Sequence, residues 1–238
     1  MDLKTRIRKS LLAVHRFIFA RPQLRVFNMF LVHLGFKGLG ILQYESIKAS
    51  GEQNFINNIL PGLIHRENPV FFDVGANTGG YSRRLSQRFP NARIYAFEPH
   101  PKTFAVLMDG FGFSNLKCFN IGLGEQKGSF ILYNRVDHQG SEHASLYKEV
   151  ISGIHKKDVS STQVMVETIE DIVLAQGIDR IDFLKIDCEG SELSILKGAS
   201  SLIEQDAIGC VHFEFNEMNV VSRCFVRDFL HPEGNVRL

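Results

Sequence analysis

The stretch from Val70 to Tyr81 limits what this chain can fold into more than any other. Val70-Phe71-Phe72-Asp73-Val74 is an apolar run, rich in β-branched and aromatic residues and broken by one acid, which predicts a buried strand. Gly75-Ala76-Asn77-Thr78-Gly79-Gly80 then turns the chain. Tyr81, Leu85 and Phe89 recur at helical spacing until Pro90 stops them. Strand, glycine turn and helix in that order predict an α/β sheet. Its carboxyl edge would offer backbone N–H groups to a nucleotide-like ligand.

The same pattern repeats downstream. Arg93 to Phe97 reads as a second strand ending in Glu98-Pro99, and Pro101 opens a helix through Phe104, Leu107 and Met108. Leu116 to Ile121 reads as a third strand. The succession β-α-β-α-β predicts a mostly parallel sheet with right-handed crossovers and helices on both faces. Gly128 to Tyr133 then reads as an antiparallel or edge strand. A polar stretch over 134–162 follows, and Gln163 to Val166 regains strand character. Thr168-Ile169-Glu170-Asp171 carries an N-cap with an acid three residues on. Ile181 to Asp187 is a fourth parallel strand, with one helix expected through Leu193, Leu196, Ala199 and Ile203. Ile208 to Phe215 is a fifth strand, and a last short helix runs around Phe225 to Leu230.

Residues 1–50 have a different texture. Lys4, Arg6, Arg8, Lys9, Arg16, Arg21, Arg25 and Lys37 stand almost without acids, and Leu3, Ile7, Leu11, Val14 and Ile18 recur at helical spacing. This predicts a basic amphipathic extension, broken at Pro22, with a second short helix ending near Gly35. Two readings stay open: the stripe packs on the domain or on a second subunit, or it lies on an anionic membrane surface. A helical stretch from Ser50-Gly51-Glu52 is expected to stop at Pro61-Gly62, and the domain proper is taken as 51–238.

Composition removes several classes. The formal charge of +1 gives no field that would draw a polyanion, so no nucleic-acid partner is expected. Cys118, Cys188, Cys210 and Cys224 show neither a C-x-x-C pair nor zinc spacing. They read as buried thiols in a reducing, cytoplasmic setting, and no metal is expected. No run approaches the roughly 18 uninterrupted apolar residues of a membrane span.

The polar residues that close the strands form a row: Asp73, Glu98, Asn120, Asp187 and Glu214. In a parallel sheet they face one crevice. Glu98 lies 23 positions after Gly75, where an acid can accept hydrogen bonds from both ribose hydroxyls. A dinucleotide turn wants glycine where this chain has Asn77. An Asp beside the turn repels a pyrophosphate but suits a ligand with an ammonium and a sulfonium, as in S-adenosylmethionine.

Phe72-Asp73-Val74-Gly75-Ala76-Asn77-Thr78-Gly79-Gly80-Tyr81-Ser82, Phe97-Glu98-Pro99 and Leu184-Lys185-Ile186-Asp187-Cys188-Glu189-Gly190-Ser191-Glu192 together resemble the FkbM family of S-adenosylmethionine-dependent methyltransferases. Ser50-Gly51-Glu52 and Val166-Glu167-Thr168-Ile169 match shorter signatures, and the resemblance covers roughly 50–217. It implies the class I, Rossmann-like methyltransferase sheet and O-methylation of a hydroxyl on a sugar, glycan, polyketide or related small molecule. By position, Asp73, Gly75, Asn77 and Gly80 would hold the methionine part, and Ala76, Thr78 and Tyr81 of the same stretch would also bind the cofactor. Glu98 would hold the ribose, Pro99 beside it would also bind the cofactor, Asn120 and Ile121 would lie near the adenine, and Asp187 would lie near the methyl donor.

A hydroxyl acceptor needs a general base. Asp187, Glu189 and His212 are the candidates, with Glu214 and His100 nearby. Glu189 has a second reading, as an acid at a helix N-terminus, and the polar loop 134–145 is the expected substrate cover. The strand pair that usually closes this sheet has no counterpart after Phe229. The fifth strand is therefore expected as an edge that the N-terminal helices or a second copy could cover. A nicotinamide oxidoreductase and a non-catalytic adenosine-ligand module are the competing readings.

Overall fold

The computed structural model describes residues 3–38, 51–109, 112–135, 145–146, 159–215 and 217–230. The chain divides into two compact units, Met1–Asn58 and Ile59–Leu238. In the first, α1 (Leu3–Phe19) ends before a 3-10 turn, Pro22–Leu24, and α2 (Arg25–Gly38) follows. Pro22 opens that turn, where its missing N–H costs nothing. The helical stretch after Gly51 does not stop at Pro61. α3 (Glu52–Asn54) passes into a π-helical turn, Phe55–Ile59, and α4 (Leu60–Leu63) carries Pro61 in its first turn. A proline crowds the carbonyl four residues back, and a widened turn relieves that crowding.

The second unit is built on five parallel strands in the order β3-β2-β1-β7-β8, where β1 is Val70–Val74, β2 Arg93–Phe97, β3 Leu116–Phe119, β7 Phe183–Ile186 and β8 Val211–Phe213. β1 is the middle strand, and all five of its residues are buried. Its side chains alternate between two cores. Val70, Phe72 and Val74 join Tyr95, Phe97, Leu184 and Ile186 in the larger core. α7 (Ile169–Gln176), α8 (Glu192–Lys197) and α9 (Ser200–Glu204) close it through Ile169, Ile172, Ile195 and Ile203. On the other face, Phe71 meets Phe89 at the end of α5 (Gly80–Arg88). α6 (Pro101–Asp109) sets Phe104 and Leu107 on Ala96 and Cys118. This is a doubly wound α/β architecture, a parallel sheet with helices on both faces.

A three-stranded sheet leans over the carboxyl edge. It consists of β4 (Gly122–Leu123), β6 (Val159–Glu167) and β5 (Gly128–Arg135), in that order. β5 runs antiparallel to β6 as expected, while β4 pairs with β6 in parallel. The expected third strand over Leu116–Ile121 therefore ends at Phe119, and the chain leaves to start the second sheet. The single helix expected after the fourth strand is broken into α8 and α9. At the break the chain packs closely on the turn after β4: a Cβ on Gly198 would stand 2.1 Å from the Gly124 carbonyl oxygen. Glu170 Oε1 accepts from Ser201 N at 2.8 Å and holds the new start. Thr168 caps α7 as expected, its Oγ1 accepting from Asp171 N at 3.0 Å.

β8 spans only three residues, and among the described residues it pairs with β7 alone. α10 (Glu217–Val221) and α11 (Val226–Leu230) follow it. Phe229 of α11 stacks on Phe213 at 4.5 Å. Most of the polar stretch expected as a substrate cover, and the last residues from 231 on, lie outside the described residues.

Candidate active site

Three backbone hydrogen bonds fix the glycine turn. Gly75 N and Ala76 N donate to the Phe97 carbonyl at 3.0 and 2.9 Å, and Gly79 N donates to Ala76 O at 2.8 Å. Gly75 has φ +77°, and a Cβ there would meet the Asp187 carbonyl oxygen at 1.9 Å. Only glycine lets the turn after β1 pass so close to the end of β7. Asn77 also takes the left-handed region, φ 50°, which Asn tolerates better than most residues. Its backbone N–H donates to Glu98 Oε2 at 3.0 Å, while Glu98 Oε1 accepts from His100 N at 2.8 Å. The Asn77 Oδ1 atom is buried with no hydrogen-bond partner.

An open cleft of about 660 Å³, its mouth included, lies between the two sheets. Gly75, Asn77, Glu98, Pro99, Asp187 and Glu189 line its polar side, and Leu123, Leu132, Leu146, Val164 and Val166 its apolar side. Burial, and to a lesser extent the negative charge of Asp73, push the Glu98 carboxyl up to about 7 against the restraint of its two backbone donors.

Beneath the turn lies a charged cluster on the α5 face of the sheet. Asp73 is fully buried. Its Oδ2 accepts from Ser82 Oγ at 2.6 Å, and its Oδ1 faces Lys185 Nζ at 3.5 Å. Lys185 reaches Asp187 Oδ2 at 3.1 Å and lies 5.1 Å above the Tyr81 ring. Burial opposes the lysine's charge, but the two carboxylates outweigh it and raise its pKa. Burial likewise opposes the charge of Asp187. Lys185, a hydrogen bond with Glu214 and then His212 more than offset it, so Asp187 is held below the usual carboxylate range. His212 sits beside Lys185 in the strand register, with Nδ1 3.2 Å from the Tyr81 hydroxyl. Burial and Lys185 lower its pKa, so the ring is neutral at pH 7.

The sequence profile of the methyltransferase FkbM domain matches residues 73–234. This chain belongs to the FkbM methyltransferase family. Methyltransferase sdnD of Sordaria araneosa is 33% identical over 156 residues, 55% of this chain and 60% of that protein. The 2-O-methyltransferase NoeI of Sinorhizobium fredii is 25% identical over 173 residues, 67% and 69% of the two chains. The hexuronic acid methyltransferase AglP of Haloferax volcanii is 27% identical over 158 residues, 65% and 59%. The chain thus spans about six-tenths of the length of two of these three relatives.

Within the FkbM domain, the residues singled out by sequence are not all brought to one place. Gly75, Asn77, Glu98, Pro99, Asp187 and Glu189 share the cleft. Asp73, Ala76 and Tyr81 are buried beneath it, and His212 touches Tyr81 from below. Thr78 and Gly80 are exposed on the outer turn. Asn120 spends its amide on the carbonyls of Glu98 and Pro99, at 2.8 and 3.0 Å, holding the end of β2. Ile121 packs against the larger core. His100 is buried, with Nδ1 at Thr103 and Nε2 3.0 Å from the Asn134 amide. It ties α6 to β5 and stands apart from the cleft lining.

The helix N-terminus role suggested for Glu189 belongs instead to Glu192. Its Oε1 accepts from Cys188 N and Gly190 N at 3.0 and 3.2 Å, and its Oε2 from Asn219 Nδ2 at 2.6 Å. Glu189 takes φ 50°, its carbonyl accepting from Ser145 Oγ at 2.8 Å. Lys185 and Glu192, which the sequence offered only as members of a motif, and Ser145 are the residues to which it gave no role. A lysine in the middle of an apolar strand was the available signal, because a buried cation must have partners.

Proposed function

We propose that this FkbM domain is an S-adenosylmethionine-dependent O-methyltransferase acting on a hydroxyl of a sugar, glycan or related small molecule. The observation that carries the reading is Glu98 in the cleft, with the unpartnered Asn77 Oδ1 near it. A carboxylate whose oxygens each hold one backbone N–H keeps acceptor capacity for two ligand hydroxyls. A buried acceptor with no partner asks for a donor from a ligand. A nucleoside bearing an ammonium tail meets both needs, and the apolar wall opposite suits a purine. Glu98, Asn77, Gly75 and Pro99 would hold it. When bound, S-adenosylmethionine supplies a methyl group already activated on a sulfonium.

The chain's own task is positioning and proton handling. Asp187 lines the cleft and stays ionised, so it is the side chain best placed to receive the acceptor's proton. Lys185 steadies it from below. His212 and Tyr81 lie behind that pair. The name of AglP, a hexuronic acid methyltransferase, supports a carbohydrate acceptor, and that of NoeI, a 2-O-methyltransferase, supports transfer to oxygen.

Calorimetric titration with S-adenosylhomocysteine and with NADH tests the donor. The reading expects S-adenosylhomocysteine to bind at least tenfold tighter. Binding of NADH alone would overturn it. Transfer of labelled methyl to a panel of glycans and glycolipids then identifies the acceptor, and cofactor binding with no transfer to any hydroxyl compound would favour a non-catalytic module.

A further inference from the structure

α2 has no buried residue. Val26, Phe27, Met29, Phe30, Leu31, Val32, Leu34 and Phe36 are all exposed, Val26 by 82%. At 100° per residue these positions surround the helix, and a helix apolar all round is normally buried. Its 14 residues reach about 21 Å, short of the roughly 30 Å of a hydrocarbon core. None of the described helices is long and apolar enough to cross a membrane.

Charge decides between coverings. Residues 3–38 contain eight Lys and Arg and no Asp or Glu, which leaves the rest of the chain with 19 basic and 26 acidic residues. The same segment of a second copy, laid on this one, would set eight positive charges against eight, with no acid of the segment to pair them. A nucleic acid would answer the charge and leave the aromatic side chains in water. An anionic bilayer surface answers both, taking apolar groups at the acyl boundary and cations at the headgroups. The elbow between the helices is already set. Phe19 stacks on Phe27 at 5.8 Å, Asn28 Nδ2 donates to the Phe19 carbonyl at 2.7 Å, and Arg21 lies 5.7 Å over the Phe17 ring.

We propose that residues 3–38 dock this protein onto an anionic lipid bilayer surface, with α2 lying in the interface. The sequence contains no tryptophan, so Phe30→Trp places a single reporter on the exposed face of α2. With vesicles of phosphatidylcholine and phosphatidylglycerol, the full chain is expected to show a blue-shifted emission and to sediment with the lipid. Pure phosphatidylcholine should bind at least tenfold less, and 0.5 M salt should release most of the protein. A second variant, Arg21→Glu with Arg25→Glu, should weaken binding to the anionic vesicles at least tenfold. Unchanged emission with both lipids would overturn the proposal. So would equal binding to both, or a dimer in light scattering that Val26→Ser with Phe30→Ser dissolves while vesicles bind nothing.

Discussion

Glu98 is where protonation and ligand binding meet. Its pKa is raised from 4.5 to about 7, first by burial. In the unfolded chain it ionises near 4.5, so between these values the folded state holds the extra proton. Its contribution to stability is complete below pH 4.5 and is lost as pH rises through 7, on the order of 3 kcal/mol. Urea midpoints of the ligand-free protein should fall over that range, and Glu98→Gln should flatten the slope. Ribose hydroxyls would donate to the ionised form. S-adenosylhomocysteine should therefore bind about tenfold more weakly at pH 6 than at pH 8. A constant affinity across this range would remove Glu98 from the site. Lys185 makes a second prediction. Lys185→Met leaves Asp73 and Asp187 facing each other without their shared cation and should cost about 3–5 kcal/mol in urea denaturation. Asp73 lies deeper than its place in the glycine-turn motif suggested, because its strand position points it at α5 rather than at the crevice. The Lys185 contact was hidden for a related reason: its partner Asp73 lies on the neighbouring strand, and only parallel register joins them.

The elements divide by how much of their shape is local. β1, β2 and β7 were legible as apolar runs because parallel strands covered on both faces must be apolar along their length. β4 was not, since two residues carry no period. The break between α8 and α9 was not legible either. A continuous apolar repeat runs through it, and the close packing of Gly198 on the Gly124 backbone at the break is a distant contact that the repeat does not encode. Glycines mark the same division inside the motif. Gly75→Ala would force the β1 turn away from the end of β7 and should cost about 3 kcal/mol or more, with loss of S-adenosylhomocysteine binding. Gly80 opens α5, and a Cβ there meets nothing nearer than an Arg84 nitrogen at 3.8 Å. Gly80→Ala should change stability by less than about 1 kcal/mol, in the stabilising direction. Thermal melts of the two variants side by side check the contrast. Equal effects would mean that the approach of the turn to Asp187 does not govern the glycine.

At the scale of the whole molecule, the chain separates its chemistry from its charge. Among the described residues, every one that lines the cleft lies within Ile59–Leu238, whereas the basic, acid-free segment 3–38 lies within Met1–Asn58. The sequence showed this division through composition, but the exposure of α2 needed the structure, because a helix apolar all round reads as core in any one-dimensional pattern. A shortened chain tests whether the two tasks are separable. The cut belongs before Gly51, since Ile56 and Leu60 are fully buried and the turns from Glu52 to Leu63 should stay intact. The 51–238 chain should bind S-adenosylhomocysteine within about twofold of the full chain, a difference under roughly 0.4 kcal/mol, and should no longer sediment with anionic vesicles. Calorimetry and sedimentation on the same preparation report the two tasks separately. Loss of nucleoside binding, with the far-ultraviolet circular dichroism of a folded α/β domain retained, would mean that the first fifty residues contribute to the site. In that case the helices could not be treated as a docking device alone.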